Sequence, residues 1–199
     1  VVPSTTGVGQ LIGLYKNNVN GASSLTFNNR YFMISGANSV VGLHTGEAGS
    51  NSFTVNTDLV VTGSGTHAVY LFGESTAVST FAGRIPDGPS GATSLVKAGA
   101  TTWLLSGSNS FSGGMTLSAG TLQITNPSAM GPGAVTFNGG TLKASGTDIT
   151  LANASLISAT NSTISGTQSL TLSGGLTNNL GSGTLSSSIT PGTGNKLLT

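Results

Sequence analysis

The sequence contains no cysteine and carries little charge. Its 199 residues include five acidic and six basic side chains, which gives a formal net charge of +1. Without cysteine the fold has neither disulfides nor thiolate metal sites. A net charge near zero offers no basic surface to a polyanion and no repulsion against self-association, so we predict no nucleic-acid partner.

Long apolar runs are also missing. No run approaches the ~18 apolar residues that a membrane-spanning helix needs, and the chain does not begin with a basic segment followed by an apolar one. We therefore expect no membrane insertion of this segment, and a chain that is either mature or a fragment.

Glycine, serine and threonine are abundant instead. They number 31, 29 and 29, or 89 of the 199 residues. Small hydroxyl residues and glycine favour short strands joined by tight turns over helices. The mean hydropathy of +0.20 is too high for a disordered chain, so we expect disorder only towards the two ends.

Short runs with alternating apolar and polar residues recur along the chain, for example at 68–72, 120–124 and 169–174. Gly-Thr-Leu returns at Gly120, Gly140 and Gly183. The two sequence separations between these three positions are close to one and two turns of a coil with about 20–22 residues per turn. The pattern predicts an all-β fold, a parallel β-helix or solenoid with about three short strands in each such rung.

An antiparallel sandwich or barrel is the alternative fold, because it too has many short strands. Hairpin signals should then be frequent, yet Asn-Gly and Asp-Gly steps occur only at residues 20–21, 87–88 and 138–139. The periodicity therefore favours the β-helix. We predict that residues 1–55 form an N-terminal cap or irregular first turns, continuous as one domain with β-helix rungs over 56–199. About nine rungs would rise roughly 45 Å.

One stretch, LVKAGATTWLLSGSNSFSGGMTLSAGTLQI at residues 95–124, resembles the passenger-associated repeat of bacterial autotransporter proteins, and the likeness continues to about residue 144. Phe111 stands where the repeat usually has Tyr, Trp103 where it usually has Leu, and residues 1–50 match it poorly. The positions that carry the resemblance are Lys97, Gly99, Trp103, Leu105, Gly107, Asn109, Phe111, Gly113, Gly114, Gly120 and Leu122.

This resemblance implies a right-handed parallel β-helix that is secreted to the bacterial cell surface, often as an adhesive or structural stalk. It implies no catalytic residue, because the recurring positions serve folding and the corners of the coil.

The acidic and histidine residues do not form a recognisable site in the sequence. No neighbouring pair of acids is one rung apart, which argues against a paired-carboxylate centre; the acids are Glu47, Asp58, Glu74, Asp87 and Asp148. The separation of His44 and His67 is close enough to one rung that the two side chains could stack, but they lack a third ligand for a metal site. We predict no catalytic residue, no metal and no cofactor.

Apolar residues at outward positions are the feature that remains. If the alternation holds, Val60, Tyr70, Phe72 and Leu104 lie outside and form a candidate assembly surface. The alternative is that a loop of the same chain, such as residues 85–92, covers them.

These observations predict a non-enzymatic extracellular structural protein, either a β-helical stalk or a self-assembling fibre subunit of the bacterial surface. Self-association is the expected interaction, with a surface glycan or a ligand on a host or neighbouring cell as a further partner. The alternative is a glycan-binding or glycan-cleaving module, in which Tyr70 or Phe72 lines up with Glu74 or Asp58.

Overall fold

Eighteen short strands form the described part of the chain. The computed structural model describes residues 22–28, 32–46 and 49–180. The first nine strands are β1 (Ser23–Phe27), β2 (Phe32–Ile34), β3 (Val40–His44), β4 (Asn51–Val55), β5 (Leu59–Val61), β6 (His67–Phe72), β7 (Val78–Phe81), β8 (Thr93–Lys97) and β9 (Thr102–Leu105). The others are β10 (Met115–Leu117), β11 (Thr121–Ile124), β12 (Val135–Phe137), β13 (Thr141–Ala144), β14 (Ile149–Leu151), β15 (Ser155–Ile157), β16 (Thr163–Ser165), β17 (Leu170–Leu172) and β18 (Leu176–Asn178).

The strands stack into three sides, and every strand pair is parallel. Side A is the seven-stranded sheet β1-β4-β7-β9-β11-β13-β16, and side C is the seven-stranded sheet β3-β6-β8-β10-β12-β15-β18. Side B holds the pairs β2-β5 and β14-β17. The chain passes through sides A, B and C in turn and then begins the next rung, so the prediction of a parallel β-helix is confirmed.

Alternate residues of most strands fill one continuous core, because successive side chains of a strand point to opposite faces, whereas the terminal strands β1 and β18 have no buried residue. On side A the inward row includes Phe53, Ser79, Trp103, Leu122 and Leu142, and all of these are buried. Side C contributes a second row, which runs Leu43, Leu71, Lys97, Leu117, Phe137 and Ile157. Side chains of adjacent rungs therefore pack directly on one another along the axis.

The rungs are longer in the N-terminal half than in the C-terminal half, as the strand partners of side A show. In the N-terminal half the pairs are widely spaced in sequence, namely Ser23 with Asn51, Thr54 with Thr80 and Val78 with Thr102. In the C-terminal half they are closer, namely Thr102 with Thr121, Thr121 with Thr141 and Thr141 with Thr163. The C-terminal half thus has about the predicted repeat, while the N-terminal half has longer connections between its strands. The seven levels described here rise about 29 Å, at ~4.8 Å per step.

Side B is irregular in the middle of the coil. Three segments, 84–92, 107–113 and 126–133, replace strands there, and the last contains a 3₁₀ helix at Pro127–Met130. Each segment still places an apolar side chain in the core, namely Ile85, Phe111 and Met130. No helix in the described ranges is long and apolar enough to span a membrane.

Strands β1 to β4 lie in the same stacks as the later strands. The predicted division at residue 55, with a cap before it, stays a prediction, because much of the proposed cap lies outside the described residues. The Gly-Thr-Leu step at residue 183 and the C-terminal end of the chain also lie outside them.

Candidate functional site

The outward face of side A is rich in hydroxyl groups. One outward row contains Thr102, Thr121, Thr141 and Thr163, which are direct neighbours on successive strands and are all half-buried. Thr residues at such positions keep the strand's β-branched preference and present a polar, uncharged surface. This face has the chemistry of a solvated wall rather than that of a reactive centre.

The four residues of the candidate assembly surface lie on three different sides. Tyr70 and Phe72 are outward on β6 of side C, Leu104 is on β9 of side A, and Val60 is on β5 of side B. All four are half-buried. Phe72 contacts the ring of His44 edge to face, with ring centroids 4.6 Å apart. The structure therefore brings Tyr70 and Phe72 together but separates them from the other two, and a role in assembly stays a prediction.

The loop at residues 85–92 packs on side B. Its Ile85 is fully buried, and Gly88 lies so close to Val61 and His67 that a Cβ atom there would be 3.0–3.1 Å from their side chains. Glycine at this position lets the loop approach the coil closely.

Three of the acidic residues accept backbone hydrogen bonds at the corners of the coil. In each case the carboxylate is bonded to an N–H group of a later segment, which ties successive parts of the coil together. The bonds run from Arg84 to Asp58 at 2.7 Å, from Thr93 and Ser112 to Asp87 at 2.7 and 2.8 Å, and from Ser169 to Asp148 at 2.7 Å.

Asp87 is the most constrained of these acids. Burial alone raises the pKa of its carboxyl, but the hydrogen bonds from Ser112 and Thr93 outweigh burial and hold the pKa below its ordinary value of 3.8. Glu74 is exposed, and Glu47 lies outside the described residues. The corner acids thus act as hydrogen-bond acceptors. Asp58 is not brought beside Tyr70 or Phe72, while Glu74 follows shortly after Phe72 in the chain.

The two histidines do not stack on each other. His44 is an outward residue whose strand partner is Phe72. His67 is buried, accepts a hydrogen bond from the Ser39 N–H at Nδ1 (3.3 Å) and donates from Nε2 to the Gly63 carbonyl (3.1 Å). Both ring nitrogens of His67 therefore serve the fold. Within 22–28, 32–46 and 49–180 no three His, Cys, Asp or Glu side chains are grouped as metal ligands.

Lys97, a residue of the repeat motif, lies in the core. Its side chain is fully buried in the inward row between Leu71 and Leu117. The Nζ atom donates to three carbonyl oxygens, those of Ala98 at 2.7 Å, Gly99 at 3.0 Å and Ala119 at 3.0 Å. We did not predict this inward position. The signal for it was the alternation itself, because Lys97 occupies the next inward place of the strand after the core residue Leu95.

Asn109, another motif residue, connects three rungs. Its Oδ1 accepts a hydrogen bond from the Ile85 N–H at 2.8 Å, in the preceding rung, and its Nδ2 donates to the Ala129 carbonyl at 2.6 Å, in the next one. The side chain is almost fully buried. The irregular segments of side B do not form a regular ladder of backbone hydrogen bonds, so the Asn109 amide supplies part of the hydrogen bonding between them.

The remaining motif residues serve packing and corners. Trp103, Leu105, Phe111 and Leu122 are fully buried. Several motif glycines lie so close to a neighbouring rung that a Cβ atom would contact its backbone at 3.0 Å or less; they are Gly99, Gly107, Gly113, Gly114 and Gly120. These positions support the stack and carry no reactive group.

A shallow groove lies on side B beside the 3₁₀ helix. It has a volume of about 410 Å³ and is lined by Asn109, Pro127, Ser128, Gly131, Pro132, Thr150, Ala152 and Asn153. The amide nitrogens of Asn109 and Asn153 are already bonded to carbonyls of the chain. The lining exposes more apolar than polar surface and contains no acid, so it offers no carboxylate for hydrolysis.

Comparisons with known proteins agree with the sequence resemblance. Residues 95–124 match the passenger-associated-transport-repeat family. The chain is 34% identical over 123 residues to the Adhesin BmaC autotransporter of Brucella suis biovar 1 (strain 1330), an alignment that covers 57% of this chain and 4% of that relative. No solved structure matches the chain.

Proposed function

We propose that this chain is a non-enzymatic β-helical stalk within a bacterial surface adhesin. The premise is that residues 95–124 are a passenger-associated transport repeat of a secreted, cell-surface autotransporter passenger. The task of the chain in this proposal is mechanical. It holds a binding part of the protein away from the cell and transmits load along the axis.

The observation that carries this proposal is the continuous stack. Two seven-stranded parallel ladders run the length of the described chain around one apolar core. Each rung is bonded to the next by backbone hydrogen bonds, so an axial load is shared among many bonds. The chemistry of the side chains supports the same proposal, since Asp58, Asp87, Asp148 and His67 are engaged in the fold.

Electron microscopy of the purified chain over a concentration series, together with circular dichroism, tests the stalk. We expect discrete rods with a β spectrum whose length does not change with concentration. Filaments that lengthen with concentration would contradict a simple stalk and favour a fibre subunit.

Fibre formation through the ends of the coil is a second candidate. The exposed large apolar residues among those described are Leu25, Val78 and Leu176, and two of them, Leu25 on β1 and Leu176 on β18, lie at opposite ends of the stack. Strand edges that lack a neighbour favour edge-to-edge pairing. Leu176→Lys should abolish filaments if they form end to end, whereas Val78→Lys, on a side wall, should leave them unchanged.

Glycan binding is favoured by one observation, the groove on side B, whose lining combines apolar surface with hydroxyl groups. In this proposal the Ser128 and Thr150 hydroxyls contact sugar hydroxyls. A glycan array probed with the wild type and with Thr150→Arg tests it, with Thr116→Arg on side C as the control. Binding that Thr150→Arg removes and Thr116→Arg retains would support the groove; equal binding by all three proteins would exclude it.

A further inference from the structure

The corner between side C and the next side A changes length within the repeat. The corner from the core residue Lys97 to Thr102, the first residue of β9, is one residue longer than the corner from Leu117 to Thr121. The next corner, from Phe137 to Thr141, has the shorter length again, and the last one, from Ile157 to Thr163, is longer. The rungs before Thr102 are the long ones, and the rungs after it are the short ones.

The strand bonds continue in register through the change in length. The Thr121 N–H donates to the Thr101 carbonyl at 3.2 Å, the Thr141 N–H to the Gly120 carbonyl at 2.8 Å and the Thr163 N–H to the Gly140 carbonyl at 2.9 Å. Each bond reaches the residue before the register partner. The extra corner residue is therefore accommodated before Thr101, within residues 98–100.

The Lys97 ammonium binds carbonyls of two successive corners. Ala98 and Gly99 belong to the longer corner and Ala119 to the shorter one, and Nζ is bonded to all three. An ammonium group has three N–H donors, so its capacity is filled. Within the described residues no backbone N–H donates to these three partly buried carbonyls, and Lys97 supplies their hydrogen bonds.

Space for the ammonium depends on Gly120. A Cβ atom at this residue would lie 2.7 Å from Nζ of Lys97 and 2.3 Å from the Gly99 carbonyl oxygen. Gly99 and Gly120 also share a φ of 65°. The Lys-x-Gly step and the Ala-Gly-Thr-Leu step of the motif, which lie in successive rungs, are therefore two halves of one cation site.

We infer that the caged Lys97 ammonium is the joint that couples the long-rung N-terminal half of the β-helix to its short-rung C-terminal half. The stability of a solenoid is approximately a sum of rung terms and nearest-neighbour interface terms. Weakening one interface leaves the two blocks intact but lets them unfold separately. This inference does not depend on the proposed stalk function.

Lys97→Met tests the joint, and Lys143→Met is the matched control because Lys143 is a half-buried outward residue on side A. Hydrogen exchange of residues 135–137 and 141–144 reports on the C-terminal half, because Trp103, the only tryptophan, lies at the joint and its ring stacks with Phe53 of the N-terminal half. Hydrogen exchange of residues 51–55 and 67–72 reports on the N-terminal half.

We expect one denaturation transition by both probes in the wild type and in Lys143→Met, which retains Lys97. In Lys97→Met we expect the transitions of the two halves to separate. Coincident transitions in Lys97→Met, whatever their midpoint, would overturn the joint.

Chemical rescue keeps the test decisive if Lys97→Met does not fold. Lys97→Ala removes the ammonium and leaves the carbonyls with a cavity. Methylammonium added during refolding should raise the denaturation midpoint of Lys97→Ala and bring the two transitions together, while tetramethylammonium, which has no N–H donor, should not. Equal effects of the two cations, or none from either, would show that the carbonyls form no cation site and would refute the inference.

Discussion

At the scale of single residues, Gly120 is held by two separate constraints. Its φ of 65° disfavours any residue with a Cβ atom, and the space beside it is filled by Lys97 and by the Gly99 and Thr101 carbonyls. Gly146 has a similar φ of 85° but nothing within 4 Å of the position where a Cβ would lie. The pair separates the cost of the backbone from the cost of the lost space.

We predict that Gly146→Ala lowers the free energy of unfolding by about 1 kcal/mol, the conformational cost alone. Gly120→Ala should lower it by about 3 kcal/mol or more, since the new methyl group also displaces the ammonium. Urea denaturation of both variants measures the difference. Equal losses would contradict the cage described for Lys97.

Burial lowers the pKa of Lys97 from 10.5 to about 8. Between these two pH values the unfolded chain keeps a proton that the folded chain has released, so the stability contributed at this site rises with pH. Below pH 8 both states carry the proton and the cost of burying the charge is fully present.

The stability of the wild type relative to Lys97→Met should therefore increase from pH 8 to pH 10.5, by at most about 3 kcal/mol. Denaturant midpoints of both proteins across this range measure it. A difference that stays constant with pH would mean that the Lys97 side chain is not buried when the chain is folded.

At the scale of elements, the corners are held by side chains as much as by the backbone. Asp87 ties two segments to its own corner through Thr93 and Ser112, and Asn109 spans three rungs. Strand ladders alone cannot hold side B, where three consecutive rungs lack a regular strand.

Asp87→Ala should lower the free energy of unfolding by about 2 kcal/mol, because two backbone N–H groups lose a charged acceptor. Asp87→Asn, which keeps an acceptor oxygen, should lose less, and the exposed Glu74→Ala should change little. The wild type should lose its advantage over Asp87→Ala only as the pH falls below 3.8, where the carboxylate becomes protonated. Thermal denaturation by circular dichroism at pH 7 and pH 3 checks this order.

Many of the strands could be predicted from their alternation, and the exceptions have identifiable causes. The runs at 115–117 and 163–165 coincide with β10 and β16. Strand β15 gives no such signal, because Ser155 takes the inward place and Leu156 the outward one. The alternation also places Lys97 at an inward position, but a charged residue is not expected in a core. The three carbonyls that bind its ammonium lie in corners, and the sequence does not reveal the geometry of these corners.

The candidate assembly surface illustrates a different limit. The period of two correctly separates Leu104 from its buried neighbours Trp103 and Leu105. It gives no information about which side of the coil a strand occupies, so Val60 and Leu104 cannot be placed on different sides from sequence alone.

At the scale of the whole molecule, the parallel stacking of successive rungs is the central geometric relation. Each strand of sides A and C lies beside the strand of the next rung, in parallel register. The stalk, the corner bonds and the Lys97 joint all require this stacking. An antiparallel sandwich built from the same strands would have none of them.

Disulfide formation between engineered cysteines measures this stacking directly, and the absence of native cysteine leaves no competing thiol. Thr116 and Thr136 are outward partners on adjacent rungs, at a Cα separation of about 5 Å that a disulfide can bridge, whereas Thr116 and Leu156 are two rungs apart, beyond about 7 Å. We predict that the Thr116→Cys/Thr136→Cys protein oxidises completely under mild conditions and that the Thr116→Cys/Leu156→Cys protein stays reduced. Equal oxidation of the two proteins, or oxidation of the second alone, would contradict the parallel β-helix.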